Sequence, residues 1–568
     1  MTMCDLFAAT VERHGDTVAL RTLDGRAWTW SQYGAAAGEA AAGLAGLGLA
    51  HGDVLACWLG NQPPLHIVDA AALDLGAASL SLYPSATVER AERVLADAGA
   101  RILVTEPAHV ERAIAVRARG RTAIDHIVCT GGDAPQALGW DEMLDAAPAG
   151  FDLESRRRAV APGDLAALIY APDATDRVAL THAAVARQSI ALRERLALPD
   201  GIDVLSTQPP AGIAARIFGR YLPILAGWAI TCCPDPRVLA AAMRRARPGF
   251  FGGPPRAWER LRAAVRAGAD ELERAALTQA IERTSRGAGP QQGEFQAMIR
   301  QRIGFDRLQV AIVGAAPCPP ELTAFWHACG VPLTELYASE RCGAVAVAAP
   351  GQARLGTVGP PLPGCDVRIA ADDEILVRGP AVSGAADAGW RHTGDAGSVD
   401  ADGHLRVLDR LDELIVSAAG TRMSPASIEA TVRSESTLIG EACVIGDGRP
   451  FNVALLTLAR RGRGPRVVEA VAAEVARANA RLSEAEQIKR FALVSDEWPA
   501  DGEELTATMK PRRRAIAAKY ASTIDALYEP GEEAISLHAR LTRASENGLK
   551  SAQSGERTIW NASSRETA

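Results

Sequence analysis

Between residues 392 and 429 the chain gathers acids, an arginine and glycines in an order suited to holding a sugar and its phosphates. His392-Thr393-Gly394-Asp395 is followed by Asp400-Ala-Asp402-Gly403, then Asp409-Arg410-Leu-Asp412-Glu413, and Gly420 leads through Ser424-Pro425 to Glu429. Physically this is a turn that aims a carboxylate, a hairpin with an arginine beside it, and a glycine loop entering a capped helix. A carboxylate such as Asp395 can accept two hydrogen bonds from vicinal ribose hydroxyls, and Arg410 can add a charged donor. Each short motif alone is an ordinary hairpin turn; their order and spacing say more. Lys510 stands out for another reason. The 568 residues contain four lysines (Lys489, Lys510, Lys519 and Lys550), with none among the first 488. Elsewhere the basic residues are arginine, whose planar fixed charge differs from a compact ammonium.

Other chemistries lose ground. There is no G-x-x-x-x-G-K-[ST] and no G-x-S-x-G, and both Gly46-Leu-Gly48 and Gly287-Ala-Gly289 lack the last glycine of G-x-G-x-x-G. Ten scattered cysteines show no metal-ligand spacing, so no structural zinc is expected. A net charge of −7 without a basic stripe argues against nucleic acid as a partner. The longest apolar run, 221–233, is too short to cross a bilayer, which leaves at most peripheral membrane contact. The first residues lack a secretory pattern, and a cytoplasmic location is expected. Oligomeric state is left open.

The elements that position these residues read as α/β. From residue 50, short β-rich runs (54–59, 79–83, 102–105) alternate with helical patterns (64–75, 88–98), the signature of parallel sheet covered by helices. A second such layer follows, with strands at 203–207 and 229–232, a helix over 214–225, Phe250-Phe251, and a strand at 307–313 running into Gly314. Gly-, Pro- and Asp-rich sequence from 351 to 403 predicts a turn-rich β region. These features predict a large domain of layered α/β subdomains plus a β-rich region over 1–409. A small, mobile α+β domain over 410–528 follows, then a flexible tail over 529–568 with one short helix possible at 534–544.

At this level the sequence resembles the adenylate-forming (AMP-binding) superfamily, most of all long-chain acyl-CoA synthetases, over roughly residues 5–528. The resemblance rests on the 392–429 segment, on Leu222-Pro-Ile-Leu-Ala-Gly227, on Phe250-Phe-Gly-Gly-Pro-Pro-Arg-Ala-Trp258, on Gly314-Ala-Ala-Pro-Cys-Pro-Pro, and on Glu504-Leu-Thr-Ala-Thr-Met-Lys510. It implies an ATP-dependent ligase that joins a carboxylic acid, such as a fatty acid, to AMP and then to a thiol, with ATP, Mg2+ and CoA as cofactors. It further implies roles by position. Lys510 would neutralise charge in the adenylation step, and Glu340 would help hold Mg2+. Asp395 would bind the ribose, Arg410 the ribose and phosphates, and Tyr337 would stack on adenine. Gly314 would line the adenine and acyl pocket, Glu413 would sit at a hinge, and Gly420 would let the CoA arm pass as the small domain rotates.

The sequence departs from the family where the phosphate loop belongs. Ala171-Pro-Asp-Ala-Thr-Asp-Arg-Val-Ala-Leu180 has no glycine and no lysine and adds two acids; Thr175 and Arg177 are left as its phosphate-binding candidates. Glycines let backbone N–H groups turn inward around phosphate oxygens, and two carboxylates oppose that. The usual His and Glu of the acid-pocket helix are replaced by Gly212 and Ala215. Two alternatives therefore stay beside the ligase: an impaired relative with a binding or regulatory role, and a biosynthetic ligase for an atypical acid.

Overall fold

The computed structural model describes residues 1–132, 134–170, 177–207, 211–339, 341–379, 389–418, 420–436, 438–459, 465–494, 498–499, 502–506, 510–529 and 558–561. The contacts divide the chain into two units, one of 1–315, 323–393 and 398–406, the other of 316–322, 394–397 and everything from Val407 onward. The sequence-based junction lies at 409/410, three residues beyond the last residue of the first unit, Arg406.

Two parallel-type sheets form the body of the first unit. One orders Leu138–Gly139, His126–Cys129, Ile102–Thr105, Val54–Trp58, Ala78–Ser81, Leu165–Tyr170 and, antiparallel at its edge, Arg177–Thr181. The other runs from Gly343–Val347 through Leu333–Ser339, Val310–Gly314, Phe250–Gly253, Asp203–Ser206, Ala229–Cys232 and Val18–Thr22 to Ala27–Thr29. Strands such as Val54-Leu-Ala-Cys-Trp58 are apolar throughout because helices cover both faces. Helix Pro63–Leu75 shows the same logic: proline opens it, Gly76 closes it at φ 71°, and twelve of its thirteen residues are buried. The β-rich region supplies a four-stranded sheet, Asp366–Ile369, Glu374–Arg378, Arg391–Val399 and Leu405–Arg410, of which residues 394–397 and 407–410 are counted with the second unit.

Two sets of ionisable side chains stand out in this unit. Asp69, on helix Pro63–Leu75, meets both Arg216 and Arg220, and all three are buried. Arg216 Nη1 also donates to Ser79 Oγ at 2.7 Å and Arg216 Nη2 to Ser81 Oγ at 3.2 Å, tying the helical segment after Gly212 to strand Ala78–Ser81. Glu335, on strand Leu333–Ser339, has no such partner set, and burial pushes its carboxyl up to about 8. A carboxyl held protonated in the fold contributes stability that is full below its ordinary value of 4.5 and lost as pH rises through 8. Thermal unfolding followed across pH should show the melting temperature falling by a few degrees over that window. Glu335→Gln should flatten the slope, and an unchanged slope would exclude Glu335 as its source.

The second unit is built on the sheet Ile439–Ile445, Asn452–Leu458, Ile488–Leu493 and Thr558–Asn561, with helices Pro425–Ser434, Pro465–Asn479, Arg513–Lys519 and Ala521–Tyr528. Ser424 caps the first helix by accepting from Ser427 N–H at 3.1 Å, as its Ser-Pro start suggests. Within the segment expected as a tail, Thr558–Asn561 pairs antiparallel with Ile488–Leu493, giving that open strand edge a partner. The helix considered for 534–544 lies outside the described residues.

Candidate functional site

The first unit contributes an apolar cleft at the carboxyl ends of its parallel strands, where open α/β sheets place their ligands. Its walls include Ser206, Ala214, Phe218, Gly253, Ile312 and Gly314. Gly314 ends strand Val310–Gly314, and a Cβ there would stand 2.7 Å from the Leu336 carbonyl oxygen, so only glycine lets the strands approach this closely. Ala315 follows at φ 66°, a left-handed conformation unusual for a residue with a Cβ and of the kind held at binding sites. The helix expected over 214–225 forms the opposite wall, but in three pieces: α from Ile213 to Arg216, π from Ile217 to Tyr221, and α again from Leu222 to Ala226. Phe218 and Gly219 line the cleft, while Arg216 and Arg220 reach Asp69. A π turn at a binding site is a recurrent device. Phe218 stacks on Phe250 with centroids 5.0 Å apart, which fixes the wall.

Two other sequence candidates of this unit, Tyr337 and Arg177, do not line the cleft. Tyr337 is buried on strand Leu333–Ser339, and it is its neighbours Leu336 and Ala338 that line the cleft, with the ladder slipping between Tyr337 and Ala338. Arg177 is exposed at the start of its strand, donates to the Asp97 carbonyl at 3.2 Å and sits 3.8 Å from the Asp97 carboxylate. Thr175 and Glu340 fall outside the described residues.

The second unit brings four candidates into one neighbourhood. Asp395 and Arg410 sit on adjacent strands joined by the Leu411 N–H bond to the Gly394 carbonyl at 2.8 Å. Burial opposes the charge of Arg410, yet Asp395, then Asp412, and also Glu413 outweigh it and hold its pKa above the ordinary value. Glu413 is shifted upward by burial, against the pull of Arg513 and, more weakly, Lys510. The Lys510 side chain is exposed at the end of a short hairpin. Its N–H donates to Thr506 Oγ1 at 3.0 Å, its carbonyl accepts from Thr506 N–H at 2.8 Å, and Arg512 N–H donates to the Glu504 carbonyl at 2.6 Å. Glu504 is in turn ion-paired with Lys519.

Beyond the hairpin, Arg513 is paired with buried Glu429 and donates to the Val444 carbonyl at 3.1 Å. The base of the hairpin is thereby pinned to the strand Ile439–Ile445. Gly420 sits at φ 82° in the loop between Ile415–Val416 and Arg422–Met423, with open space where a Cβ would be. Its glycine answers to backbone conformation and not to crowding.

Sequence reasoning missed the Asp69–Arg216–Arg220 cluster and the Arg513 partner of Glu429. One signal was present: two arginines four residues apart within an otherwise apolar helical run. Among the described residues no three His, Cys, Asp or Glu side chains gather as a metal cage. No helix among them is long and apolar enough to cross a membrane.

The AMP-binding enzyme family matches residues 7–385, and the AMP-binding enzyme C-terminal domain matches 412–532. The "Putative fatty-acid--CoA ligase fadD11" of Mycobacterium tuberculosis is 39% identical over 451 residues, covering 70% of this chain and 79% of the relative. The long-chain-fatty-acid--CoA ligase FadD15 of Mycobacterium bovis is 29% identical over 572 residues, covering 89% and 94%. Among solved structures, the anthranilate CoA ligase AuaEII in complex with anthranoyl-AMP superposes with a TM-score of 0.73 at 17% identity, over 92% of this chain and 98% of that one, a likeness of fold. With a cleft at the strand ends in one unit and the Asp395–Arg410–Glu413–Lys510 group in the other, these matches show that the chain belongs to the AMP-binding enzyme family, as an ATP-dependent acid ligase.

Proposed function

We propose that the acid is a fatty acid and the acceptor CoA, joined in two steps through an acyl-adenylate. The observation that carries the reading is the apolar cleft ending at Gly314, a wall suited to hydrocarbon with few polar groups beside it. The two fatty-acid--CoA ligase relatives support it. In the first step the acid carboxylate attacks the α-phosphate of ATP, forming a carboxylate–phosphate bond and releasing pyrophosphate. In the second the thiol sulfur attacks the acyl carbon and AMP leaves.

Roles follow from the chemistry. An anion approaching a polyanion needs positive charge placed where more negative charge develops, and Lys510 supplies it. Asp395 accepts from the ribose hydroxyls, and Arg410, kept fully charged by Asp395, meets the phosphates. Tyr337 and Gly314 serve the adenine side, Thr175 and Arg177 the phosphate end. Glu413 acts at the hinge of the 410–528 domain, and Gly420 leaves room for the CoA arm. Magnesium arrives with ATP; one carboxylate plus phosphate oxygens suffices for such an ion, and Glu340 takes that part. Nine of the ten cysteines are buried, which supports work in the reducing cytoplasm.

The test is release of AMP and pyrophosphate across acids from acetate to palmitate and aromatic acids, with and without CoA. Turnover should be greatest with fatty acids, and CoA should convert the adenylate to thioester. A folded protein that consumes ATP with none of the acids would sink the reading.

A further inference from the structure

Arg513 stands three residues past Lys510, so their α-carbons are at most about 11 Å apart however the chain runs between them. It opens helix Arg513–Lys519, where a cation meets the positive end of the helix dipole, so local helix chemistry gives no reason for it. Its partners do. The guanidinium pairs with Glu429, which is 1% exposed, and donates to the Val444 carbonyl at 3.1 Å, while Glu429 Oε1 accepts from Val444 N–H at 2.7 Å. Helix Pro425–Ser434, strand Ile439–Ile445 and the chain leaving the Lys510 hairpin therefore meet on one ion pair.

The two sides of the hairpin are anchored differently. On the incoming side Leu505 is buried in an apolar cluster with Cys443, Val453 and Ile516. The outgoing side, which carries Lys510, bridges to Leu505 through Pro511 and is then tied down by Arg513. Apolar packing tolerates small shifts, whereas a guanidinium fork on a carboxylate fixes direction as well as distance. Glu413 feels the same fork: of the two cations that oppose its burial, Arg513 is the stronger and Lys510 the weaker.

We propose that Arg513, held by Glu429, is a positioning residue for Lys510, fixing the outgoing side of the hairpin so that the ammonium meets the charge developing at the α-phosphate. The proposal rests on the role given to Lys510 above. It confines the effect to adenylation, because thioester formation sets a thiol against an acyl carbon and asks nothing of Lys510.

The two half-reactions, measured separately on the whole chain, test it. Arg513→Lys keeps the charge and loses the fork; Glu429→Gln combined with Arg513→Met removes both charges together and leaves Val444 N–H an acceptor. In pyrophosphate–ATP exchange, kcat should fall about tenfold in the first and about a hundredfold in the second, the cost of a misplacement on the order of 1 Å. The KM for ATP should stay within about threefold, since Asp395 and Arg410 are untouched, and thioester formation from preformed acyl-adenylate within about twofold. That second step draws on the same unit, so its retention also shows the unit folded. Equal loss in both half-reactions would reduce Arg513 to a folding role, and full exchange in both variants would remove it from positioning; either result overturns the proposal. Full exchange in Lys510→Ala would overturn the Lys510 role and this proposal with it, whereas loss in Lys510→Ala beside full exchange in both Arg513 variants would overturn this proposal alone.

Discussion

Lys510→Ala is expected to slow acyl-adenylate formation by about a hundred- to a thousandfold, the usual cost of deleting one charge aimed at a transition state. The side chain is exposed, and its hairpin is held by backbone bonds to Thr506 and by the Glu504–Arg512 contact, none of which involves the ammonium. The fold should therefore survive. Pyrophosphate–ATP exchange reads the first step alone, and thioester formation from preformed acyl-adenylate reads the second. Loss confined to the first is the expected pattern; full exchange activity in the variant would remove Lys510 from the mechanism. Lys510→Arg should recover little, because a planar guanidinium does not occupy the position of a compact ammonium.

Asp69→Ala should destabilise the large unit by about 3–5 kcal/mol, since it leaves two buried guanidiniums without their shared counter-charge. Burial alone would raise the Asp69 pKa, but Arg220 and then Arg216 more than offset it and hold the carboxyl below its ordinary 3.8. The stabilisation is present above 3.8 and lost as pH falls through the lower folded value. Denaturant unfolding at neutral pH should show the full loss, and the variant should lose less than the parent on acidification. A change within about 0.5 kcal/mol, the size of an ordinary surface substitution, would mean the cluster is compensated in another way.

The sequence made the sheet-forming runs plain where burial on both faces forces continuous apolar stretches, as at Val54–Trp58 and Ala229–Cys232. It also offered Asp395 and Arg410 as candidates through short motifs of local spacing, and Lys510 through the scarcity of lysine and the family resemblance. Less visible was anything set by distant pairing. Strand Val18–Thr22 joins the sheet beside Ala229–Cys232, a partner some two hundred residues away. Arg216 meets Asp69 across 147 positions, and Arg177 turns to Asp97 across 80. The π turn was equally hidden, since apolar periodicity over 214–225 fits an α-helix as well.

The Lys510 hairpin has a consequence for chemical labelling. Every lysine lies beyond residue 488, and of the three described, Lys489 donates to Gln487 at 2.8 Å, Lys519 is exposed but ion-paired with Glu504, and Lys510 is exposed at its hairpin. Lysine-directed acylation therefore passes over the whole arginine-only body of the large unit. Protection of the one Lys510 peptide by nucleotide or adenylate would report, in a single mass-spectrometric signal, when the ammonium is engaged.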